Sequence, residues 1–456
     1  MAFLDERYLL GSAAAAELYA QVRELPIIDP HNHADVKAIA EDRPFANIWE
    51  AEAATDHYVW ELLRKRGVPE SHIAGAASDE AKWTSLCGVF EELVGNPTFE
   101  WVHLDLRRRF GITDLIGPPT AHAIWDATRR QLAAPAMRPQ ALLKAMNVER
   151  MCSTDDPADT LEHHRALTAG PLAGVVRPTF RPDRAMNIFK ADWNAYITRL
   201  EELACGTFKK LRDLEAFLQA RHDFFAANGC VASDHGVEVP FGHTVEYADA
   251  DRIFRQVRGG QAPAPAEVAA FMSWMLHAVA GMDAAKDWVF QLHLGCVRDV
   301  RNRLWNSLGP DTGGDVSDHR VDIVAPLRDF LNRFDDRLKV VFYCLDPHHQ
   351  ATLATLTRAF GAKVNLGSAW WMNDTPIGMK RQLEYAGSVD LLWNHAGMVS
   401  DSRKLLSYGS RHEMFRRVLC DVVGAMVERG QAPQRLAARL VVELCYARPK
   451  ALFGLG

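Results

Sequence analysis

The chain has 456 residues, of which 48% are apolar and 24% charged, the balance of an ordinary globular protein long enough to bury a large core. Its formal net charge of -6 argues against general attraction to nucleic acid or anionic membrane and points to a small-molecule partner. The eight cysteines contain no CxxC pair, which argues against a thiolate zinc site or a thioredoxin-type motif. The N-terminal stretch carries Asp5, Glu6 and Glu17 and lacks a basic leader region. No stretch is read as reaching the roughly 20 apolar residues of a membrane span. The expected compartment is a reducing cytoplasm.

Eight short apolar runs, each ending in polar or small residues, set the expected fold. In chain order they are Leu25 to His33, Val148 to Asp155, Gly174 to Arg181, Gly229 to His235, Trp288 to Gly295, Leu338 to Asp346, Lys363 to Trp371, and Leu391 to Ser400. Such continuous runs suit strands buried on both faces. Helical patterns lie between them, as in Leu211 to Ala227 and Ala266 to Ala280. Strand and helix alternating eight times predict a (β/α)8 TIM barrel, an α/β fold.

The expected parts are residues 1–33 as an N-terminal helix and strand one, 34–147 as a helical insertion, and 148–456 as the rest of the barrel with C-terminal helices. One βα unit takes about 30 residues, so the long gap after strand one is an insertion. Connections of this kind emerge over the active-site face, and the insertion is expected to be a lid or pocket wall. Phe415, Val418, Leu419, Val422 and Met426 recur at three and four, one face of a helix closing the barrel. Gln434 to Tyr446 reads as a final covering helix.

His31-x-His33 ends the first run. Residues i and i+2 of a strand face the same side, so both imidazoles would face the barrel mouth, where neutral imidazole is a good metal ligand. Alone, the pair reads equally well as two polar histidines at a strand end. Asp401, after the eighth run, would stand beside them once the barrel closes. Two His and one Asp leave open positions, the pattern of a catalytic metal site. Arg403 follows two residues on.

His293 ends run five, where it is either paired in the core or facing a wet pocket. In Ser233-Asp234-His235-Gly236, Asp234 and His235 cannot both point inward, and a helix cap is an equal alternative there. Arg181 and Arg298 suit carboxylate capture or surface ion pairs. His57 and Tyr58 lie in the insertion within Asp56-His57-Tyr58. There is no P-loop, dinucleotide fingerprint or GxSxG elbow.

With HxH on strand one and Asp after strand eight, the chain resembles the amidohydrolase superfamily. Within it, the chain resembles uronate isomerases nearly end to end, through PHNH, IAEDRPFANIWE, DHYVWELLRKRGV, WVHLDLRRRFGI, VRPTFRPDRAMNI, ASDHG, QLHLG, NLGSAWWMNDTPIGMKRQL and SDSRKLLSYGSRHEMFRRVL. The resemblance implies interconversion of aldo- and keto-hexuronates, D-glucuronate with D-fructuronate or D-galacturonate with D-tagaturonate. It implies one divalent metal, usually zinc, on His31, His33 and Asp401. Asp401 and Arg403 would move a proton between C2 and C1 through an enediol. Tyr58, Asp234 and His293 are expected to take part in catalysis. His57, Arg181, His235, Arg298 and Trp370 are expected around the acidic sugar.

A mononuclear site is expected, because no strand-four lysine is evident. A homo-oligomer is expected. The departures are Ala34-Asp35-Val36 after HxH, where an extra acid beside the ligands bears on substrate choice, then His395 before the last Asp, and Gly409-Ser410. The competing readings are a metal-dependent hydrolase on the same scaffold, such as a sugar lactonase, and an inactive uronate-binding protein. The complete ligand set disfavours the second.

Overall fold

The computed structural model describes residues 3–456. The apolar runs form short parallel strands. β1 (Ile27–Asp29), β2 (Val148–Cys152) and β3 (Val176–Arg177) pair in that order. β4 (Ala232–Val237) pairs with β5 (Val289–Leu294). β6 (Cys296–Val297) and β7 (Val316–Ser317) form an antiparallel ribbon that leaves the sheet. β8 (Lys339–Cys344) and β9 (Val364–Leu366) extend the second sheet in the order β4-β5-β8-β9.

Backbone contacts outside the named strands close the two gaps. Phe180 bridges Asp155 on one side and Ser233 on the other. Across the last seam, Ala396 N donates to Leu366 O at 2.9 Å, Asp401 N to His31 O at 3.2 Å and His33 N to Ser402 O at 3.0 Å. The circuit has eight members, and the fold is a (β/α)8 barrel.

The eighth run differs from the expectation of a strand. Leu392–Asn394 is a 3-10 turn, and Gly397 has φ +85. Side chains take the donors a ladder would use: Ser400 N–H goes to Asp29 Oδ1 at 2.7 Å and Val399 N–H to Ser368 Oγ at 3.4 Å. The run is an extended edge pinned by side chains.

Strand alternation divides the core. On β5, Phe290, Leu292 and Leu294 face the helices and join a core with Phe254, Phe271 and Leu353. Val289 faces inward and packs with Ile28, Cys152, Ala232 and Val341. The C-terminal residues Leu452, Phe453 and Leu455 belong to the same inner cluster and plug the barrel floor. Seven α-helices lie between β1 and β2, around a separate core that includes Trp49, Trp83, Phe90 and Trp125.

Helix Pro265–Lys286 has the length and apolarity of a membrane span by composition alone, which corrects the expectation that no stretch does. It is a core helix here: Asp283 on it is buried and meets His222 Nε2 at 2.8 Å and Ser233 Oγ at 2.5 Å. All eight cysteines are free, and only Cys205 is exposed.

The N-terminal helix Ala13–Val22 lies across the long helix Ser407–Glu428. The crossing is tight at Gly424, where a Cβ would sit 2.6 Å from Ala15 N and 2.7 Å from its Cα. Nothing flexible can give way there. Gly424→Ala is expected to part the helices and cost about 1–3 kcal/mol, the usual penalty for overpacking. A denaturant midpoint equal to that of the native chain would contradict this close fit.

Candidate active site

The site is built where β1 meets the last run. His31 Nε2 and His33 Nε2 both face Asp401 Oδ1, at 3.0 and 3.2 Å. The imidazole planes are nearly perpendicular, with centroids 5.1 Å apart. The second oxygen, Asp401 Oδ2, accepts from Trp370 Nε1 at 2.7 Å. A shared carboxylate thus gathers the HxH pair and a tryptophan.

Beneath it, Asp234 Oδ1 accepts from His293 Nδ1 at 2.8 Å. Asp234 Oδ2 lies 3.0 Å from Arg181 Nη1 and 3.7 Å from His31 Nδ1. Arg181 also donates through Nε to Asp183 Oδ2 at 2.9 Å. The approach of Arg181 depends on Gly236, because a Cβ there would lie 2.5 Å from Arg181 Nη2.

The residue types fit a divalent cation. His31, His33 and Asp401 can each offer one donor atom, all within 4.8 Å of one another, and so can His31, Asp234 and His293. His31 Nδ1 and His293 Nε2 are buried without a hydrogen-bond partner. Burial pulls His31 down, yet Asp234 and Asp401 outweigh it and raise its pKa. The electrostatics favour positive charge at this point. Burial drives His33 and His293 the other way, His293 to about 4. Burial pushes the Asp401 carboxyl up, but the hydrogen bonds from His31 and His33 prevail and hold it well below the usual range. Two imidazoles and an ionised carboxylate make an N/O donor set suited to zinc-like ions.

The insertion supplies the opposite wall. Helix His57–Lys65 is capped by Asp56, whose carboxylate accepts from Tyr58 N at 2.9 Å. Lys404 holds that cap, with Nζ 3.0 Å from Asp56 Oδ2 and 3.2 Å from Glu52 Oε2. Burial raises Asp56, but Lys404 and Arg411 outweigh it and hold it low, whereas burial and Asp105 push Glu52 well above the usual range. His57 is lowered, first by burial and then by Arg403. As a neutral ring it accepts from Arg403 Nη1 at 2.9 Å through Nε2. Arg403 Nη2 reaches Asp311 Oδ2 at 2.6 Å, so one guanidinium joins three chain segments.

These groups line a cavity of about 1260 Å³. His31, His33, His57, Tyr58 and Arg181 line it, as do His293, Arg298, Trp370, Asp401 and Arg403. Asp234 sits directly below. Arg298 pairs with Asp315 at 3.3 Å and lies over the Trp371 ring.

His235 is not brought to the cavity. It alternates outward on β4, hydrogen bonds Ser233 Oγ at 2.9 Å and stacks on Phe290, so it is corrected from sugar contact to core residue. Asp35, read as an acid beside the ligands, instead caps helix Val36–Ala40 by accepting from Ala38 N. His395 is buried against Phe415 and accepts from Gly397 N at 3.1 Å. Ser410 turns back onto Ser407 O.

Sequence reasoning missed Lys404, Arg411 and Asp374. Lys404 directly follows Arg403, and Arg411 opens the Arg-His-Glu triplet quoted above. Their buried carboxylate partners lie far away in the chain, and no spacing signal joins them.

Comparison with known proteins identifies the family. A family model described as glucuronate isomerase matches residues 1–453. The uronate isomerase of Thermotoga neapolitana is 50% identical over 99% of this chain and 99% of its own length. The crystal structure of uronate isomerase from Thermotoga maritima matches with TM-score 0.97 at 48% identity, covering 99% of this chain and 100% of that one. Glucuronate isomerase from Caulobacter crescentus matches with TM-score 0.95 at 28% identity, over 100% and 97%. Matched from end to end in sequence and backbone, the chain belongs to the uronate isomerase family, within the amidohydrolase superfamily.

Proposed function

We propose that this site interconverts aldo- and keto-hexuronates, D-glucuronate with D-fructuronate and D-galacturonate with D-tagaturonate, with zinc as its resident cation. The observation that carries the reading is Asp401, held between His31 and His33 at 3.0 and 3.2 Å, with Arg403 at the same cavity wall. Family membership over the whole chain supports it, and the alternative of a hydrolase is not favoured.

His31, His33 and Asp401 would hold the cation, which when bound supplies a Lewis acid that polarises substrate oxygens. The remaining chemistry belongs to the protein. Isomerisation moves the C2 proton to C1 and the O2 proton to O1, through an enediol. Asp401, whose carboxyl is held well below the usual range, accepts the C2 proton and returns it to C1 in this reading. Arg403, which donates to His57 and to the half-exposed Asp311, faces the negative charge that builds on the enediol oxygens. Arg181 and Arg298 add positive charge to the same cavity and select for a sugar acid. The Trp370 indole, bonded to Asp401 Oδ2, fixes the orientation of the carboxylate.

Two outcomes are expected. Incubated with glucuronate or galacturonate in D2O, the enzyme forms the ketose, with deuterium or internally transferred hydrogen at C1. Failure to form ketose, with acid released from lactones or amides instead, overturns the reading. His33→Asn is expected to lose bound zinc, measured by elemental analysis, together with activity. The loss should exceed the roughly 10–100-fold typical of removing an outer partner of a metal site. Full activity after exhaustive chelation contradicts the proposed metal role.

A further inference from the structure

Consecutive residues of β4, Ser233-Asp234-His235-Gly236, converge on one arginine. Asp234 Oδ2 lies 3.0 Å from Arg181 Nη1. Gly236 lends both space and a donor. It lacks the Cβ that would lie 2.5 Å from Arg181 Nη2, and its N–H donates to Asp183 Oδ2 at 2.9 Å. The same oxygen accepts from Arg181 Nε at 2.9 Å. His235, on the other face of the strand, turns Nδ1 toward the second oxygen, Asp183 Oδ1, at 3.7 Å. Neither of those two atoms has another partner. Ser233 fixes the ring: its hydroxyl donates to Asp283 Oδ2 at 2.5 Å and meets His235 Nε2 at 2.9 Å. Ser233, His235 and Asp283 are wholly buried.

A guanidinium is a rigid planar fork of five N–H donors. One carboxylate partner leaves the plane free to turn about that contact, whereas partners on Nε and Nη1 together set it. Among the described residues Nη2 donates to none, so its hydrogens remain for a ligand. Arg181, Asp183 and Gly236 stand at the cavity wall. Burial pushes the Asp183 carboxyl up, but Arg181 outweighs it and holds it below the usual range.

We infer that Asp183 is a positioning residue, seated by Gly236 and His235, that sets the plane of Arg181 and so aims it at the acid group of the sugar. Asp234 is the second anchor of the same plane. The Ser-Asp-His-Gly segment thus serves one guanidinium, and His235 acts on the sugar at second hand although it never reaches the cavity. The inference rests on the reading above, in which Arg181 faces a sugar acid.

The test uses the metal-loaded enzyme and compares the native chain with Asp183→Asn, Arg181→Lys, their double variant, His235→Gln and His235→Asn. Metal content and unfolding midpoint are recorded for each. Misplacing a positioning group costs up to about 100-fold. Asp183→Asn is therefore expected to lower kcat/KM for the uronate by about 10- to 100-fold. Most of the loss should be a rise in KM, because the acid at C6 is remote from C1 and C2 and is held alike in ground and transition states. Arg181→Lys keeps a charge for Asp234 but has no Nε–H and no fork for Asp183 to aim. Adding Asp183→Asn to it should cost nothing further. The histidine variants carry the test if Asp183→Asn does not fold. A glutamine amide stands where Nε2 stood and keeps Ser233, whereas an asparagine amide stands where Nδ1 stood and keeps Asp183. The larger rise in KM is therefore expected in His235→Gln.

Additive losses in the double variant overturn the inference. So does a KM in His235→Gln no higher than in His235→Asn. A native KM in Asp183→Asn beside a raised KM in Arg181→Lys also overturns it, while leaving Arg181 at the sugar. A native KM in Arg181→Lys overturns the placement of Arg181 against the sugar acid, and the inference with it.

Discussion

A buried carboxylate two residues ahead of His31 holds the site together. Asp29, at the end of β1, accepts from Ser400 N at 2.7 Å and Ser400 Oγ at 2.6 Å. Its side chain has no exposure at all, so the charge is satisfied only by protein donors, and leaving it unpaired would be costly. That demand fixes the last run against the first strand where no regular ladder forms. The next residue is Asp401. Its amide bonds His31 O, and its carboxylate meets both imidazoles. Closing the barrel and assembling the donor set are therefore one event.

Much of this was legible in the sequence for a physical reason. Strands buried on both faces must be apolar, so the runs announced themselves, and period-two alternation placed His31 and His33 on one side. The same rule applied to Asp234 and His235 says that only one can face inward, and the structure chooses Asp234. The choice is made by neighbours in space: Arg181 and His293 meet Asp234, whereas Ser233 and Asp283 form a polar patch on the outer face of β4. The eighth run failed to be a strand because its donors go to Asp29 and Ser368. No local propensity encodes a partner 371 residues away.

The insertion belongs to the site because it is bound by charge as well as by apolar packing. Lys404, buried, meets Asp56 and Glu52, and Arg411, buried, meets Asp374 behind Tyr58. Buried ion pairs add little net stability over apolar substitutes, but breaking one typically costs about 3–5 kcal/mol. They therefore penalise every docking of the insertion that leaves a charge unmatched. What they specify is an orientation, the one that presents His57 and Tyr58 to the cavity.

Charge matching also governs the cavity, which carries many charges whose partners are already present. Arg181 is matched by Asp183 and Asp234, Arg298 by Asp315, and Arg403 by Asp311. A free arginine would bind any anion, whereas a partnered one binds an anion only if its geometry improves on the existing pair. The partners differ in strength. Asp311 is half exposed, and an ion pair so open to water is worth only about 0–1 kcal/mol. Asp234 is wholly buried and also holds His293. An anionic sugar can therefore displace Asp311 from Arg403 at small cost, whereas Arg181 stays bound to the floor of the site. The more loosely paired charge is Arg403 and the firmly held one is Arg181 below it, so an anion can enter the cavity without disturbing the donors that orient Asp401.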